Sequence, residues 1–151
     1  MISCTQFIAS YSELFTYLEK IGGEKAVSDY WEHLASFGIK GLEELAAAKG
    51  LRGCYEYWSH TLNEEAADFT MTLDEEAGTF TIDMAHCPSK GRLLELKQLI
   101  PYRNYCGHCN VLYRRILEPL GFRYDYDMSG CGEARCCLTI TDPLHRSSED
   151  K

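Results

Sequence analysis

The sequence predicts an α+β fold, in which N-terminal helices and a later cysteine-bearing helix pack on one face of an antiparallel sheet of about four strands. Three observations carry this. Apolar residues recur at helical spacing from Phe7 to Leu62. The period then changes to two, through paired runs between Phe69 and Met84. After a second helical stretch it returns to two between Phe122 and Ile140.

Taken in order, Phe7, Ile8, Tyr11, Leu14, Phe15, Leu18 and Ile21 form one helical stripe, stopped by Gly22-Gly23. Ala26, Val27, Tyr30, Trp31, Leu34 and Phe37 form a second, closed by Gly38. A shorter alanine-rich helix spans Leu42 to Ala48 and ends at Gly50. A fourth, from about Gly53 to Ala66, carries Cys54, Tyr55, Trp58 and Leu62. A hairpin follows: Phe69, Met71 and Leu73 alternate with polar residues, as do Phe80, Ile82 and Met84, with Asp74 to Gly78 as the turn. Pro88 ends it. Leu93, Leu94, Leu96, Leu99 and Ile100 predict a short helix before Pro101. The next helix begins at Cys106, turns Cys106, Cys109, Leu112, Tyr113, Ile116 and Leu117 inward, and ends near Pro119-Leu120-Gly121. Two strands close the fold, with Phe122, Tyr124 and Tyr126 on one face of the first and Ala134, Cys136, Leu138 and Ile140 on one face of the second. Residues 1–151 read as a single domain, with 142–151 a polar tail.

A chain of 151 residues, 45% hydrophobic and 25% charged, is long enough to bury a core without staples. Its net charge of −8 is spread along the chain with no basic stripe, which repels phosphate backbones and argues against nucleic acid. No apolar run approaches the roughly 18 residues of a membrane span, and no basic leader precedes an apolar segment, so the expected location is the cytoplasm. Exposed edge strands leave a homodimer open.

Eight cysteines are present, and six of them fall between Cys87 and Cys137. In a reducing compartment such clustering points to metal or catalysis before disulfides. The segment Tyr105-Cys106-Gly107-His108-Cys109 places two thiols on one face of a helix start, and folding can bring Cys87, Cys131 and Cys136 toward it. By alternation Cys136 faces the helices with Leu138 and Ile140, while Cys137 faces away. Three readings stay open. Cys87, Cys106, Cys109 and Cys136, or three of them with His86 or His108, match the donors of a tetrahedral zinc centre. Cys106-Gly107-His108-Cys109 at a helix start also matches the active-site motif of protein disulfide isomerases; there Cys106 attacks, Cys109 resolves, and the helix terminus with His108 stabilises a Cys106 thiolate. Buried cysteines also serve simply as small hydrophobes, the expectation for Cys4, Cys54 and Cys137. Tyr30, Trp31, Tyr55, Trp58, Tyr113, Tyr124 and Tyr126 offer walls for a small-molecule pocket between helices and sheet.

The helix carrying Cys106 with Asn110 one turn on, followed by the Gly132-Glu133-Ala134-Arg135-Cys136 strand start, resembles the L-2-amino-thiazoline-4-carboxylate hydrolase family and the related vinyl-reductase-type sensory domains. The likeness spans roughly Thr81 to Thr141, and departs from the family pattern at Asn110 and Leu138. It implies ring opening of a small cyclic C=N substrate by water, with Cys106 or a metal-bound hydroxide as attacking group and His108 or Glu133 as proton shuttle. It equally implies a sensory domain without catalysis.

Overall fold

A computed structural model of the chain describes residues 4–37, 39–64 and 67–144, and it has the α+β architecture. Helix α1 (Cys4–Phe37) is two helical segments joined at Gly23, where φ of 71° and ψ of −175° interrupt the hydrogen-bond ladder. The stop expected at Gly22-Gly23 is therefore a kink, and it needs glycine because φ there is left-handed. Phe15, Val27 and Trp31 from the two segments are buried with Leu93, Tyr102 and Tyr105 in one apolar cluster. Helices α2 (Lys40–Lys49) and α3 (Leu51–Thr61) meet at Gly50 and cross so closely that a Cβ on Gly53 would lie 2.0 Å from the Leu45 carbonyl oxygen. The helix predicted to reach Ala66 ends sooner, continuing only as a 3-10 turn over Leu62–Glu64; Ala66, like Gly38 and residues 145–151 of the tail, lies outside the described residues.

Strands β1 (Asp68–Asp74), β2 (Thr79–His86), β3 (Arg123–Asp127) and β4 (Cys136–Thr141) form one antiparallel sheet in the order β1-β2-β4-β3. Register sets its inner face in rows. Leu73, Phe80, Ile140 and Tyr124 make one row; Met71, Ile82, Leu138 and Tyr126 make the next; Phe69, Met84 and Cys136 make the last. Cα pairing also places Cys137 between Asp83 and Asp127 on the outer face, as alternation predicts. Helix α3 lies against β1 and β2, and helix α5 (Gly107–Leu117) lies against β3. Helix α1 packs on α5 and on α4 (Pro88–Glu95) as an outer layer.

Two segments differ from expectation. The helix predicted around Leu93 to Ile100 starts at Pro88 and is over by Glu95. Pro88, with its φ preset, opens the helix behind Cys87 rather than merely ending the strand. Pro101 holds the preceding residue out of helical conformation, and Ile100 is left exposed. Ala134, predicted to be the first inward residue of the last strand, instead caps a 3-10 turn (Cys131–Glu133) with φ of 58°, and the strand begins at Cys136. Among the described residues no helix is long and apolar enough to cross a membrane.

Candidate thiol site

Four elements deliver cysteines to one place. Cys136 enters at the last row of the sheet beside Met84. Cys87 caps α4: its Sγ accepts from the Lys90 N–H at 3.4 Å, and its own N–H donates to the Ala134 carbonyl at 2.8 Å, tying it to the loop before β4. Cys106 is the N-cap of α5 and Cys109 lies one turn along. Cys131 sits in the turn before β4. Cys87, Cys106, Cys109, Cys131 and Cys136 all line a single small cavity of about 20 Å³, room for one water-sized group. The four cysteines read as candidate ligands thus border one space, and Cys131 borders it too.

The thiols are not arranged as a ready cage. Among the described residues no three His, Cys, Asp or Glu side chains are disposed to hold a metal ion together. The sulfur-rich donor set suits zinc, yet a centre would form only if side chains turned toward a common point. Nor does the helix start give a Cys106 thiolate. Burial pushes the Cys106 thiol well above its ordinary range, and a hydrogen bond with the Cys131 thiol, with Cys109 and Cys87 nearby, pushes it further. Burial likewise raises Cys87. It takes Cys136 up to about 12, although the Tyr126 hydroxyl hydrogen-bonds to that sulfur and works the other way. Desolvation here acts against the helix-terminus effect on which a disulfide-isomerase reading of Cys106 depends.

His108 is placed differently. Its ring is walled by Tyr105, Tyr11 and Phe15, with centroids 4.9, 5.4 and 5.9 Å away. Its Nδ1 hydrogen-bonds the Tyr105 backbone carbonyl. A carbonyl only accepts, so Nδ1 carries the proton and Nε2 presents a lone pair. That Nε2 lies 3.4 Å from Cys109 Sγ. Burial holds the His108 pKa below the usual imidazole range, the Tyr105 hydrogen bond opposing it. The result is a neutral base, fixed in tautomer, against a thiol.

Because the folded state depresses this pKa, the unfolded chain takes up the proton first. The contribution to stability is whole above the unfolded value, near pH 6.5, and is lost as pH falls below it. Urea unfolding at pH 7.5 and 5.5 is therefore expected to show a larger loss of stability in the native chain than in His108→Gln.

Beside the small cavity opens a pocket of about 260 Å³ between α3, α5 and the sheet. Trp58, Tyr113, Tyr124 and Tyr126 wall it, and Cys87, His108, Cys109 and Cys136 line both spaces. Cys106 and Cys131 reach only the inner one. Of the other aromatics proposed as walls, Trp31 is buried with Phe15, Tyr30 packs beside them, and Tyr55 packs against the sheet core. Two larger hollows, about 510 and 570 Å³, are open grooves along α1 and the Gln98–Asn104 stretch, and neither is lined by a thiol.

Glu133 and His86 fall outside the site. Glu133 is exposed, pairs with Arg135 and lines neither space, so it is not positioned as the proton shuttle. The His86 ring lies over Gly91, where a Cβ would meet it at 2.4 Å. Sequence reasoning passed over the supports of the His108 ring: Tyr11 and Phe15 read only as helix stripe, and the backbone carbonyl of Tyr105 leaves no mark in a sequence. It also passed over Ser12, whose buried hydroxyl accepts the Tyr102 N–H at 2.9 Å and anchors the segment leading into α5. No protein-family model matches this chain, and neither any curated protein nor any solved structure matches it at a significant level.

Proposed function

We propose that this chain is a thiol-dependent enzyme acting on a small electrophile, a hydrolase of a small cyclic C=N compound, with Cys109 as nucleophile and His108 as its base. The observation that carries this is the Cys109 Sγ to His108 Nε2 approach of 3.4 Å at the wall of a ligand-sized pocket. Nucleophile, base and a third group orienting the base are the recurring parts of covalent catalysis, and the Tyr105 carbonyl is the third group. In the proposed cycle the Cys109 proton passes to Nε2 as Sγ attacks the C=N carbon, and then moves to the ring nitrogen. The C=N bond re-forms as the ring bond from that carbon to its other heteroatom breaks, the proton moving from nitrogen to the departing atom. Water attacks the same carbon, its proton passing through Nε2 to Sγ as the thiolate leaves. One water is consumed and the thiol is restored. This differs from the expectation for Cys106, which does not reach the pocket.

A zinc–thiolate centre at Cys87, Cys106, Cys109 and Cys136, sensory or structural in role, is the competing proposal; the gathering of five thiols supports it. Labelling with neutral iodoacetamide at pH 7.5, mapped by mass spectrometry, separates the two. The thiol-enzyme reading expects Cys109 to react about ten-fold faster than Cys106 or Cys136, in metal-free protein. One zinc per chain after purification without an affinity tag, with these thiols protected until chelation, would instead establish the metal centre.

A further inference from the structure

We infer that the ligand of the 260 Å³ pocket is an uncharged, planar ring compound with one hydrogen-bonding atom directed at Tyr124. This rests on the reading of the pocket as the substrate site and names its substrate class. The first observation is the chemistry of the walls. Among the described residues lining the pocket there is no Asp, Glu, Lys or Arg. Aliphatic Ile82, Met84 and Leu138 lie with Tyr124 and Tyr126 on the sheet's inner face, opposite Trp58 of α3 and Tyr113 of α5. The one titratable imidazole, His108, is held neutral by burial. Arg114 lies over the Tyr124 ring at 5.4 Å, does not line the pocket, and is committed to Glu118 and Asn110. Lys90 and Arg135 border only the inner cavity. A carboxylate or phosphate taken into such a space would be stripped of water with no partner to replace it. A flat neutral ring stacks on these walls without that penalty.

The second observation is an unmet demand. Tyr124 is 1% exposed and lines the pocket, yet its hydroxyl is buried with no hydrogen-bond partner. Buried hydroxyls are nearly always paired, and an unpaired one points to a group that arrives with the ligand.

Three bicyclic probes of nearly equal shape test this by titration calorimetry at pH 7.5: quinoline, which is neutral with one acceptor nitrogen; naphthalene, with none; and quinoline-2-carboxylate, an anion. Quinoline is expected to bind both the native chain and Cys109→Ala, with the carboxylate at least about ten-fold weaker. Tyr124→Phe is expected to weaken quinoline by about three- to ten-fold, the worth of one hydrogen bond, and to leave naphthalene unchanged, which shows the variant's pocket is intact. Equal or tighter binding of the carboxylate would overturn the inference, as would quinoline affinity indifferent to Tyr124→Phe, or no binding of either neutral ring. The two readings fail separately. Selective neutral-ring binding without Cys109 reactivity sinks the catalytic reading alone, and Cys109 reactivity with preferred carboxylate binding sinks this one alone.

Discussion

Alanine at position 53 is expected to destabilise the protein by about 3 kcal/mol or more, lowering its melting temperature by roughly 6–12 °C. The added methyl would stand 2.0 Å from the Leu45 carbonyl oxygen, 2.4 Å from its carbon and 3.0 Å from the Ala46 nitrogen. These are backbone atoms, so no rotamer change relieves the clash and α2 must move away from α3. Such a movement disturbs Leu42, Ala46, Cys54 and Trp58, all buried in the same core as the sheet's Phe80 and Ile140. Because Trp58 also walls the pocket, ligand affinity should fall together with stability. Gly132→Ala is the matched control: nothing lies within 4 Å of its added methyl, and the change is expected to stay within about 0.5 kcal/mol. Thermal and urea unfolding of the two variants side by side checks both statements.

The second large effect falls on chemistry. His108→Gln is expected to slow the hydrolysis of 2-methylthiazoline, a neutral cyclic C=N compound whose opening releases a thiol, by about 10²- to 10⁴-fold. Cys109→Ala is expected to abolish it, whereas Cys106→Ala should retain most of the rate because that thiol does not face the pocket. The profile of kcat/KM against pH should extend further to the acid side than an ordinary imidazole allows, since burial keeps His108 unprotonated there. A native rate untouched by His108→Gln, or lost with Cys106→Ala in place of Cys109→Ala, would refute the assignment.

Much of this architecture could be read from residue order because it depends on local periodicity. The alternation of Phe80, Ile82 and Met84, and of Leu138 and Ile140, is what one buried sheet face requires, and it carried Cys136 inward and Cys137 outward. Helical spacing likewise turned Cys106 and Cys109 toward Cys136, whereas the direction of Cys87, between a strand and a proline, could not be read from periodicity. What residue order could not show turns on desolvation and on single turns. Cys106 and Cys109 look equivalent on a helix face, and only the folded chain shows that one meets Cys131 behind the pocket while the other meets His108 at its wall. Glu133 matched a motif by spacing, but the left-handed residue after it starts the strand late and leaves the carboxylate outside with Arg135. Charge-free pocket walls could not have been foreseen, because they come from separate helices and strands.

The wall around the His108 ring comes partly from Tyr11 and Phe15, in the segment of α1 before the Gly23 kink. Basicity at the centre of the molecule is thus set by how firmly its outermost layer is seated. A partner that clamps that layer down would sharpen the imidazole's preference for the uncharged form. One that pries it loose would admit water and let the same ring become a cation, so the stretch of α1 before Gly23 tunes an imidazole carried by another helix.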